Sequence, residues 1–400
     1  MKTMTLRALP ALLMAAFSGL ASASAFQLWE QNASGLGTAY AGSAAVADNA
    51  STIFYNPAGM TQLPGLRISA GVTGVNANFK FHNNGSTTSG GNGGDAGGDW
   101  KAIPNAYISW QLSPQWFVGL GISSPFGLAT EYKDNNWVGR YQSLKSEITT
   151  VNVNPSVAYR LSDKVSLGFG LNYQTLKAEM TNATPLGAYQ IKGDDSAWGW
   201  NAGALFTLSP AMRVGVSYRS AIEHKLEGDR NLGASSSSAK ANLTLPDTFI
   251  LSVWQQVSDR WEAMGDLSFT RWSSLDRLKV YHSGLGTSPD VEPFNYNNSW
   301  RFAWGAAYKA SEAWKLKFGI AYDRTPTTDG DRSARVPDNN RIWLSVGGQW
   351  RPSPEAVVDF GYAYLYLKDP SISQTKYGQT LRGKYDDSGH VLGVQYSQGF

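Results

Sequence analysis

The chain holds few of the side-chain clusters that catalyse reactions or bind metal ions. Its four histidines, His82, His224, His282 and His390, are scattered without the spacing of a metal site. Cysteine is absent, which excludes disulfides and thiolate ligands. No G-x-S-x-G motif is present, and the Asp-rich stretch DGDRS (329–333) lacks an EF-hand frame. We therefore predict no cofactor, no metal ion and no enzymatic activity.

Two prolines stand in positions that raise a structural question. Asn56-Pro57-Ala58 follows a Gly/Ala-rich run (33–50) and marks a turn. This turn is either a solvated connector or the fixed end of a folded segment. Pro125 lies in GISSPFGLATEY (121–132), where its missing N–H interrupts strand pairing. That interruption is either a bulge that adjusts the strand or an opening in a sheet.

Alternation of apolar and polar residues dominates the chain and defines the elements that must position these prolines. In VSLGFGLNY (165–173), every second residue is Val, Leu, Phe, Leu or Tyr, and the residues between are Ser, Gly or Asn. WKLKFGIAY (314–322) repeats the pattern with Lys, Gly and Ala on the second face. Because side chains alternate faces along a strand, each segment is a strand with one apolar face.

A soluble sandwich and a membrane barrel both produce this alternation, and two features favour the barrel. Aromatic residues such as Trp314 and Tyr322 end the apolar faces, as in the aromatic girdles of outer-membrane barrels. Short turns such as 161–164 alternate with long polar loops, which we predict at 82–99, 229–240 and 323–338. Counting segments predicts an all-β fold, an antiparallel transmembrane barrel of about fourteen strands, closed because lipid cannot satisfy an open sheet edge.

Composition excludes other classes of protein. The net charge of +3 is too small for a nucleic-acid binder, so we predict no nucleic-acid partner. Gly 42, Trp 15, Tyr 19 and Phe 16, with 16% charged residues, are typical of many short strands. Mean hydropathy is -0.30, and the mature chain has no apolar run long enough for a membrane helix.

Both ends of the chain carry export signals. Residues 1–25 read as a cleaved signal peptide, with Lys2 and Arg7 before an apolar core and a small-x-small ending. An uncleaved membrane anchor is excluded by the length and the cleavage signal. The last strand ends on Phe400, which is either an ordinary strand end or the signal for the outer-membrane assembly machinery. Residues 26–63 lack alternation, so we predict a plug in the barrel (64–400).

The N-terminal stretch FQLWEQNASGLGTAYAGSAAVADNASTIFYNPAGM (26–60) resembles the hatch of the FadL-type outer-membrane transporters of long-chain fatty acids and other hydrophobic compounds. WGWNAG (198–203) and VPDNNRIWLS (336–345) are similar as well. The resemblance covers essentially the whole mature chain. It implies a fourteen-stranded barrel in the outer membrane of a Gram-negative bacterium, plugged by a small hatch.

The resemblance also implies roles for the two proline stretches. The third strand would kink inward at its interrupted residues and open the wall to the outer leaflet of the membrane. Phe26 would plug the ligand pocket and withdraw when ligand arrives, while the Asn56 turn pins the hatch. The predicted residues of the opening are Ser124, Pro125, Phe126 and Gly127, and those of the hatch are Phe26, Asn56, Pro57 and Ala58.

A fatty-acid ligand needs a cation near the mouth of an apolar pocket. Lys177, Lys279 and Arg301 lie near the loop-side ends of their strands and are our candidates. Solvated rim charges are an equally good interpretation of all three. Where fatty-acid transporters carry a basic residue after the fifth strand, this chain has Asn182, which weakens the fatty-acid interpretation.

The leading hypothesis is passive import of long-chain fatty acids or similar molecules by a monomer in the outer membrane. Its partners are a hydrophobic ligand, membrane lipid and the assembly machinery. The alternative substrate is an aromatic hydrocarbon or another uncharged apolar compound, which needs no cation. Two alternatives of other kinds are a barrel enzyme, for which no catalytic cluster is present, and an open porin, which would conduct ions.

Overall fold

The computed structural model describes residues 25–91, 93–284 and 288–400. The predicted signal peptide therefore lies outside the described residues, except for Ala25. None of the helices in these described ranges is long and apolar enough to cross a membrane.

The described residues form a closed antiparallel barrel of fourteen strands, as predicted. Residues 66–83 at the start of the barrel pair with residues 383–399 at its end, so the sheet has no free edge there. The strands are β1 (Leu66–Asn83), β2 (Asp95–Gln111), β3 (Trp116–Ser123 and Gly127–Glu131), β4 (Lys145–Arg160), β5 (Val165–Thr184), β6 (Gly187–Ser209), β7 (Met212–Arg219 and Ile222–Leu232), β8 (Ser235–Leu245 and Thr248–Gln256), β9 (Trp261–Thr270 and Arg277–His282), β10 (Asp290–Pro293 and Ser299–Lys309), β11 (Trp314–Asp323), β12 (Arg341–Trp350), β13 (Ala356–Leu367 and Ser371–Lys376) and β14 (Gln379–Gly399).

The outer face of the wall is apolar because alternate residues of each strand point away from the lumen. Leu167, Phe169 and Leu171 of β5 are exposed, whereas Asn172 and Gln174 of the same strand are buried inside. Large exposed aromatic residues lie on the outer face near the strand ends, namely Trp110, Trp116, Trp261, Trp314 and Trp350 beside the short turns and Trp198, Trp300, Tyr322 and Tyr366 towards the long loops. This arrangement suits a wall in contact with lipid.

One of the predicted long loops is wrong. Residues 229–240 do not form a loop but continue β7 and β8 as an antiparallel hairpin, with Ser235 paired to Leu232. Residues 183–194 extend β5 and β6 in the same way. Both hairpins are rich in polar residues and Gly or Ala, so they lack the alternation of large apolar residues that identifies the other strands.

The N-terminal segment (residues 25–64) lies inside the barrel, against the inner faces of the strands. It contains two 3₁₀ turns (Leu36–Thr38 and Pro57–Gln62) and one short α-helix, α1 (Thr52–Tyr55). Lys317 of β11 donates a hydrogen bond to the Ser34 carbonyl, with 2.8 Å between nitrogen and oxygen. Most residues of the N-terminal segment are buried.

Phe400 ends β14 with an exposed side chain, while its carbonyl accepts a hydrogen bond from Leu66 N. This position leaves the aromatic ring accessible at the short-turn rim. Its recognition by the assembly machinery and the monomeric state stay predictions.

Candidate functional site

The third strand is interrupted at Ser124–Phe126, the stretch that the sequence marks with Pro125. Ser123 pairs with Asn152 of β4 below the interruption, and Gly127 pairs with Thr149 above it. Three residues of β3 therefore face two residues of β4. All three are buried, so the extra residue moves the chain inward.

The N-terminal segment satisfies the backbone groups that this interruption exposes. Leu28 N donates to the Pro125 carbonyl and Gly127 N donates to the Phe26 carbonyl, both at 2.8 Å. The side chain of Gln31 donates to the Ser124 carbonyl at 2.7 Å and accepts from Ser124 N at 3.0 Å. Because unpaired backbone groups are costly away from water, these bonds hold the N-terminus against the break.

Beside the break, the pairing between β2 and β3 stops. It ends at Ala106 and Ile122, and the next contact between the two chain stretches is an isolated bridge between Ala96 and Tyr132. Between these points, residues 97–105 of β2 pair with β1 but have no ladder partner on β3 among the described residues. Pro104 lies within this stretch, and a proline suits a strand edge because it has no N–H to leave unpaired.

Space and unsatisfied polar groups mark the gap between β2 and β3. About 1300 Å³ of atom-free space, partly open to solvent, lies between residues 97–101 of β2 and residues 129–133 of β3. The side chain of Asn105 is buried, and neither of its amide atoms has a hydrogen-bond partner within the described residues. The ladder between β2 and β3 is therefore interrupted at the level of the gap, with space beside it.

Phe26 lies where the break meets the lumen, in a cluster of aromatic rings. Its ring centroid is 4.8 Å from that of Trp272 and 6.2 Å from that of Phe126, both in edge-to-face geometry. Ala25 N donates to Asp338 Oδ2 at 2.8 Å, and Asp338 also accepts from Arg341. Aromatic contacts of this kind contribute about 0.5–1.5 kcal/mol each, so the N-terminal residues are held by several weak contacts.

Phe26 also closes one end of an apolar cavity that encloses about 690 Å³ of atom-free space. The cavity is lined by side chains on the inner faces of β3 to β10 and by the loop between β11 and β12. The apolar lining residues are Leu128, Ile148, Met180, Ile191, Leu226, Leu243, Leu278, Phe294 and Val336. The apolar lining of this cavity suits a hydrophobic ligand.

The buried cation at this cavity is Arg335, which the sequence analysis did not single out. Its guanidinium forms an ion pair with Glu292 at 3.1 Å, donates to Ser146 Oγ at 3.1 Å and donates to Asn182 Oδ1 at 2.9 Å. Glu292 also pairs with Lys376 at 3.0 Å. Glu292 therefore shares one negative charge between Arg335 and Lys376. Arg335 directly precedes the VPDNNRIWLS stretch, whose resemblance to the family could have drawn attention to this residue.

The structure does not bring Lys177, Lys279 and Arg301 together. Lys177 and Lys279 are exposed on the outer face, because their neighbours along β5 and β9 point into the lumen. Arg301 of β10 is buried beneath the N-terminal segment, where it donates to the Ala39 carbonyl at 2.7 Å. Its guanidinium carbon lies 4.7 Å from the ring centroid of Trp29. The geometry therefore offers no common carboxylate site formed by these three residues.

The Asn56-Pro57-Ala58 turn is docked tightly on the inner wall. Asn56 Nδ2 donates to the carbonyls of Ala44 at 2.8 Å and Ala204 of β6 at 3.0 Å, and its Oδ1 accepts from Ala58 N at 3.1 Å. The wall residue opposite Asn56 is Gly203, where an added Cβ would stand 2.2 Å from Asn56 Oδ1. Any larger residue there would displace the turn.

Glu30 of the N-terminal segment is a buried carboxyl group whose Oε2 has no hydrogen-bond partner among the described residues. Burial raises the pKa of Glu30 to about 7, and the charges of Arg341 and Arg301 only partly oppose this effect. No sequence pattern marks Glu30, since its burial depends on strands hundreds of residues away.

No three His, Asp or Glu side chains in the described ranges lie close enough together to hold a metal ion. What the site offers is an apolar cavity, the aromatic residue Phe26 in its lining and an interruption of strand pairing beside that residue.

Comparison with known proteins gives a consistent result. The family model of outer membrane protein transport proteins (OMPP1/FadL/TodX) matches residues 14–400. Outer membrane protein P1 of Haemophilus influenzae strain Rd is 32% identical, with 92% of this chain and 90% of that protein covered. The long-chain fatty acid transport protein of Escherichia coli K12 is 27% identical, with 96% and 97% covered.

Solved structures share the fold. A Pseudomonas aeruginosa FadL homologue superposes with a TM-score of 0.88 at 23% identity, covering 94% of this chain and 100% of that one. The Pseudomonas putida toluene transporter TodX has a TM-score of 0.73 at 17% identity, covering 92% and 98%. At these identities the likeness concerns the fold alone.

Proposed function

Because this chain belongs to the OMPP1/FadL/TodX family of outer membrane transport proteins, we propose that it imports long-chain fatty acids or similar hydrophobic molecules across the outer membrane. The relative from E. coli K12 is named a long-chain fatty acid transport protein. The apolar cavity of about 690 Å³ supports a ligand of this class.

The observation that carries the proposal is the pairing of the N-terminus with the broken third strand. Phe26 closes the cavity with its side chain and closes the break with its carbonyl, through the bond from Gly127 N. Ligand that displaces the Phe26 ring therefore also frees the break. The same movement opens the cavity towards the gap between β2 and β3.

The N-terminal segment acts as the hatch, and its two ends have different roles. The Asn56-Pro57-Ala58 end is the anchor, because it bonds to the wall at Ala204 and fits against Gly203. The Phe26 end moves, because it is held by ring contacts and a few hydrogen bonds that a ligand can replace.

Lateral exit avoids a large free-energy barrier. Each CH₂ group that enters water costs about 0.8 kcal/mol, so a long acyl chain released into the periplasm would cross a barrier of many kcal/mol. An exit into the outer leaflet keeps the chain in an apolar medium throughout. Transport is then passive, driven by the removal of ligand on the inner side.

A second candidate substrate is an uncharged aromatic hydrocarbon. The apolar lining of the cavity suits such a ligand, which needs no counter-charge, and Arg335 is already engaged by Glu292 and Asn182. The toluene transporter TodX shares the fold. Charge, rather than size, therefore distinguishes the two substrates.

Uptake by whole cells tests the proposal. Cells that lack their own transporter and express this chain should accumulate radiolabelled oleate faster than cells with an empty vector, and the same comparison with toluene tests the second candidate. A gain for neither compound, with the barrel correctly inserted, would overturn the import function.

A further inference from the structure

Arg219 of β7 is an inward-facing arginine without an acidic partner. Its Nη2 donates to the Phe54 carbonyl at 2.8 Å, its Nη1 donates to Asn172 Oδ1, and its guanidinium carbon lies 4.2 Å from the Phe54 ring centroid. No Asp or Glu of the described residues forms an ion pair with it, unlike Arg335 and Arg341, which pair with Glu292 and Asp338. A charge removed from water without a counter-charge is costly.

Asn172, the partner of Arg219, belongs to a hydrogen-bonded cluster of four asparagines that leaves polar atoms unused. Asn201 Oδ1 accepts from Asn154 Nδ2 at 2.9 Å and from Asn172 Nδ2 at 3.0 Å, and Asn152 Nδ2 donates to Asn172 Oδ1 at 3.0 Å. All four are at most 1% exposed. Asn201 Nδ2 and the Oδ1 atoms of Asn152 and Asn154 have no hydrogen-bond partner within the described part of the chain.

This cluster lies next to the break in the wall. Asn152 pairs with Ser123, the last residue of β3 before the break. Thr150, two residues along β4, donates to the Phe126 carbonyl at 2.6 Å and accepts from Phe126 N at 3.1 Å. Arg219 touches the helix α1 on its other side through Phe54. The cluster therefore lies on the lumen side of the wall, between the break and α1.

We propose that Arg219 and the asparagines around it form a binding site for the carboxylate of an amphipathic ligand, on the exit side of the lumen. This inference rests on the proposed import function for the route but not for the binding itself. Arg219 supplies the counter-charge, Asn201 Nδ2 supplies a further donor, and the Oδ1 atoms of Asn152 and Asn154 accept from water held with the anion. The head group would stay there while the tail enters the gap.

The test compares ligands that differ only in their head group. Purified protein in detergent is titrated with dodecanoate and with dodecanol, and binding is followed by calorimetry. The wild type should bind dodecanoate more tightly than dodecanol. Arg219→Gln should weaken dodecanoate by about tenfold or more while dodecanol changes little, since only the carboxylate loses a charge-assisted hydrogen bond. Lys177→Gln, on the outer face, is the matched control and should bind like the wild type.

Asn201→Asp provides a second variant of nearly the same shape. It places a carboxylate beside Arg219 and should weaken dodecanoate selectively, without loss of the folded barrel. Equal weakening of both ligands by Arg219→Gln would assign Arg219 to holding Phe54 and would overturn the site. So would a wild type that does not distinguish the two head groups. If cells fail to take up oleate while the purified protein still binds dodecanoate selectively, the import function is overturned but the carboxylate site is not.

Discussion

At the residue scale, a few residues cover the break in the third strand. Phe26, Gln31 and Thr150 satisfy or cover the groups that the break at Ser124–Phe126 exposes. None of these contacts depends on a motif in the usual sense. Each joins a residue of the N-terminal segment or of β4 to the same short stretch of β3.

Residue types alone predicted part of this site. Pro125 and Asn56-Pro57-Ala58 were visible because proline has a fixed backbone requirement wherever it stands. Arg335, Glu30 and Arg219 were not visible, because their roles come from partners that the closure of the barrel brings together. The candidates Lys177 and Lys279 failed to meet because a shift of one residue on a strand exchanges the inner for the outer face.

The raised pKa of Glu30 predicts a pH-dependent stability. The pKa is about 7 in the folded protein against 4.5 in the unfolded chain, so the folded state binds more protons between these values. Its stability therefore falls as pH rises through this window and levels off above pH 7. Glu30→Gln does not titrate and should be more stable than the wild type at pH 8 by about 1–3 kcal/mol, with little difference at pH 5.

Thermal melting of the purified barrel, followed by near-ultraviolet circular dichroism, measures this difference at both pH values. A Glu30→Gln variant that melts below the wild type at pH 8 would show that the ionised carboxylate is stabilised by Arg341 and Arg301 rather than destabilised by burial.

At the element scale, the alternation of apolar and polar residues predicted the number of strands but not their extensions and interruptions. Alternation identified all fourteen strands, because lipid on one side and a lumen on the other impose it. It did not identify residues 183–194 and 229–240, which continue the strands as hairpins. It also missed the interruption of β9 between Thr270 and Arg277, which carries Trp272 to Phe26. That interruption has no proline to mark it.

Deleting Pro125 should close the gap in the wall. The break has three residues of β3 opposite two of β4, so removing one restores equal numbers and regular alternation from Ser123 to Gly127. With the lateral exit closed, ligand must pass through water, and oleate uptake should fall by roughly tenfold or more.

Pro125→Ala is the matched control, since it keeps the extra residue and should keep most of the uptake. Both variants should migrate as folded, heat-modifiable barrels on gels. Full uptake by a folded deletion variant would remove the gap from the transport route.

At the scale of the whole molecule, the barrel and its N-terminal segment pack together as one unit. Pairing of the first strand with the last closes the barrel, and the N-terminal segment packs against the inner face of the wall through hydrogen bonds to Ala204, Lys317 and Arg301. The rival functions differ at this scale. An open porin would conduct ions, and a barrel enzyme would need a catalytic cluster, which the sequence does not provide.

The family relationship explains why so much of this arrangement could be predicted. The N-terminal stretch carries its likeness in residues that the fold requires, such as the Asn56 turn against Gly203. The substrate could not be predicted in the same way. It depends on how Arg335 is engaged by its ion pair with Glu292 and its hydrogen bond to Asn182, and these three residues come from separate parts of the chain.

The central claim, that withdrawal of the N-terminus from the broken strand opens the route, is tested most directly by a disulfide. Gln27 and Phe126 face each other as a non-hydrogen-bonded antiparallel pair, whose Cα atoms are separated by about 4.5 Å in such geometry. The chain has no cysteine of its own, so the variant Gln27→Cys/Phe126→Cys forms a single defined bond. Cells expressing it should take up oleate only after reduction. Equal uptake by the oxidised and reduced forms would contradict the account.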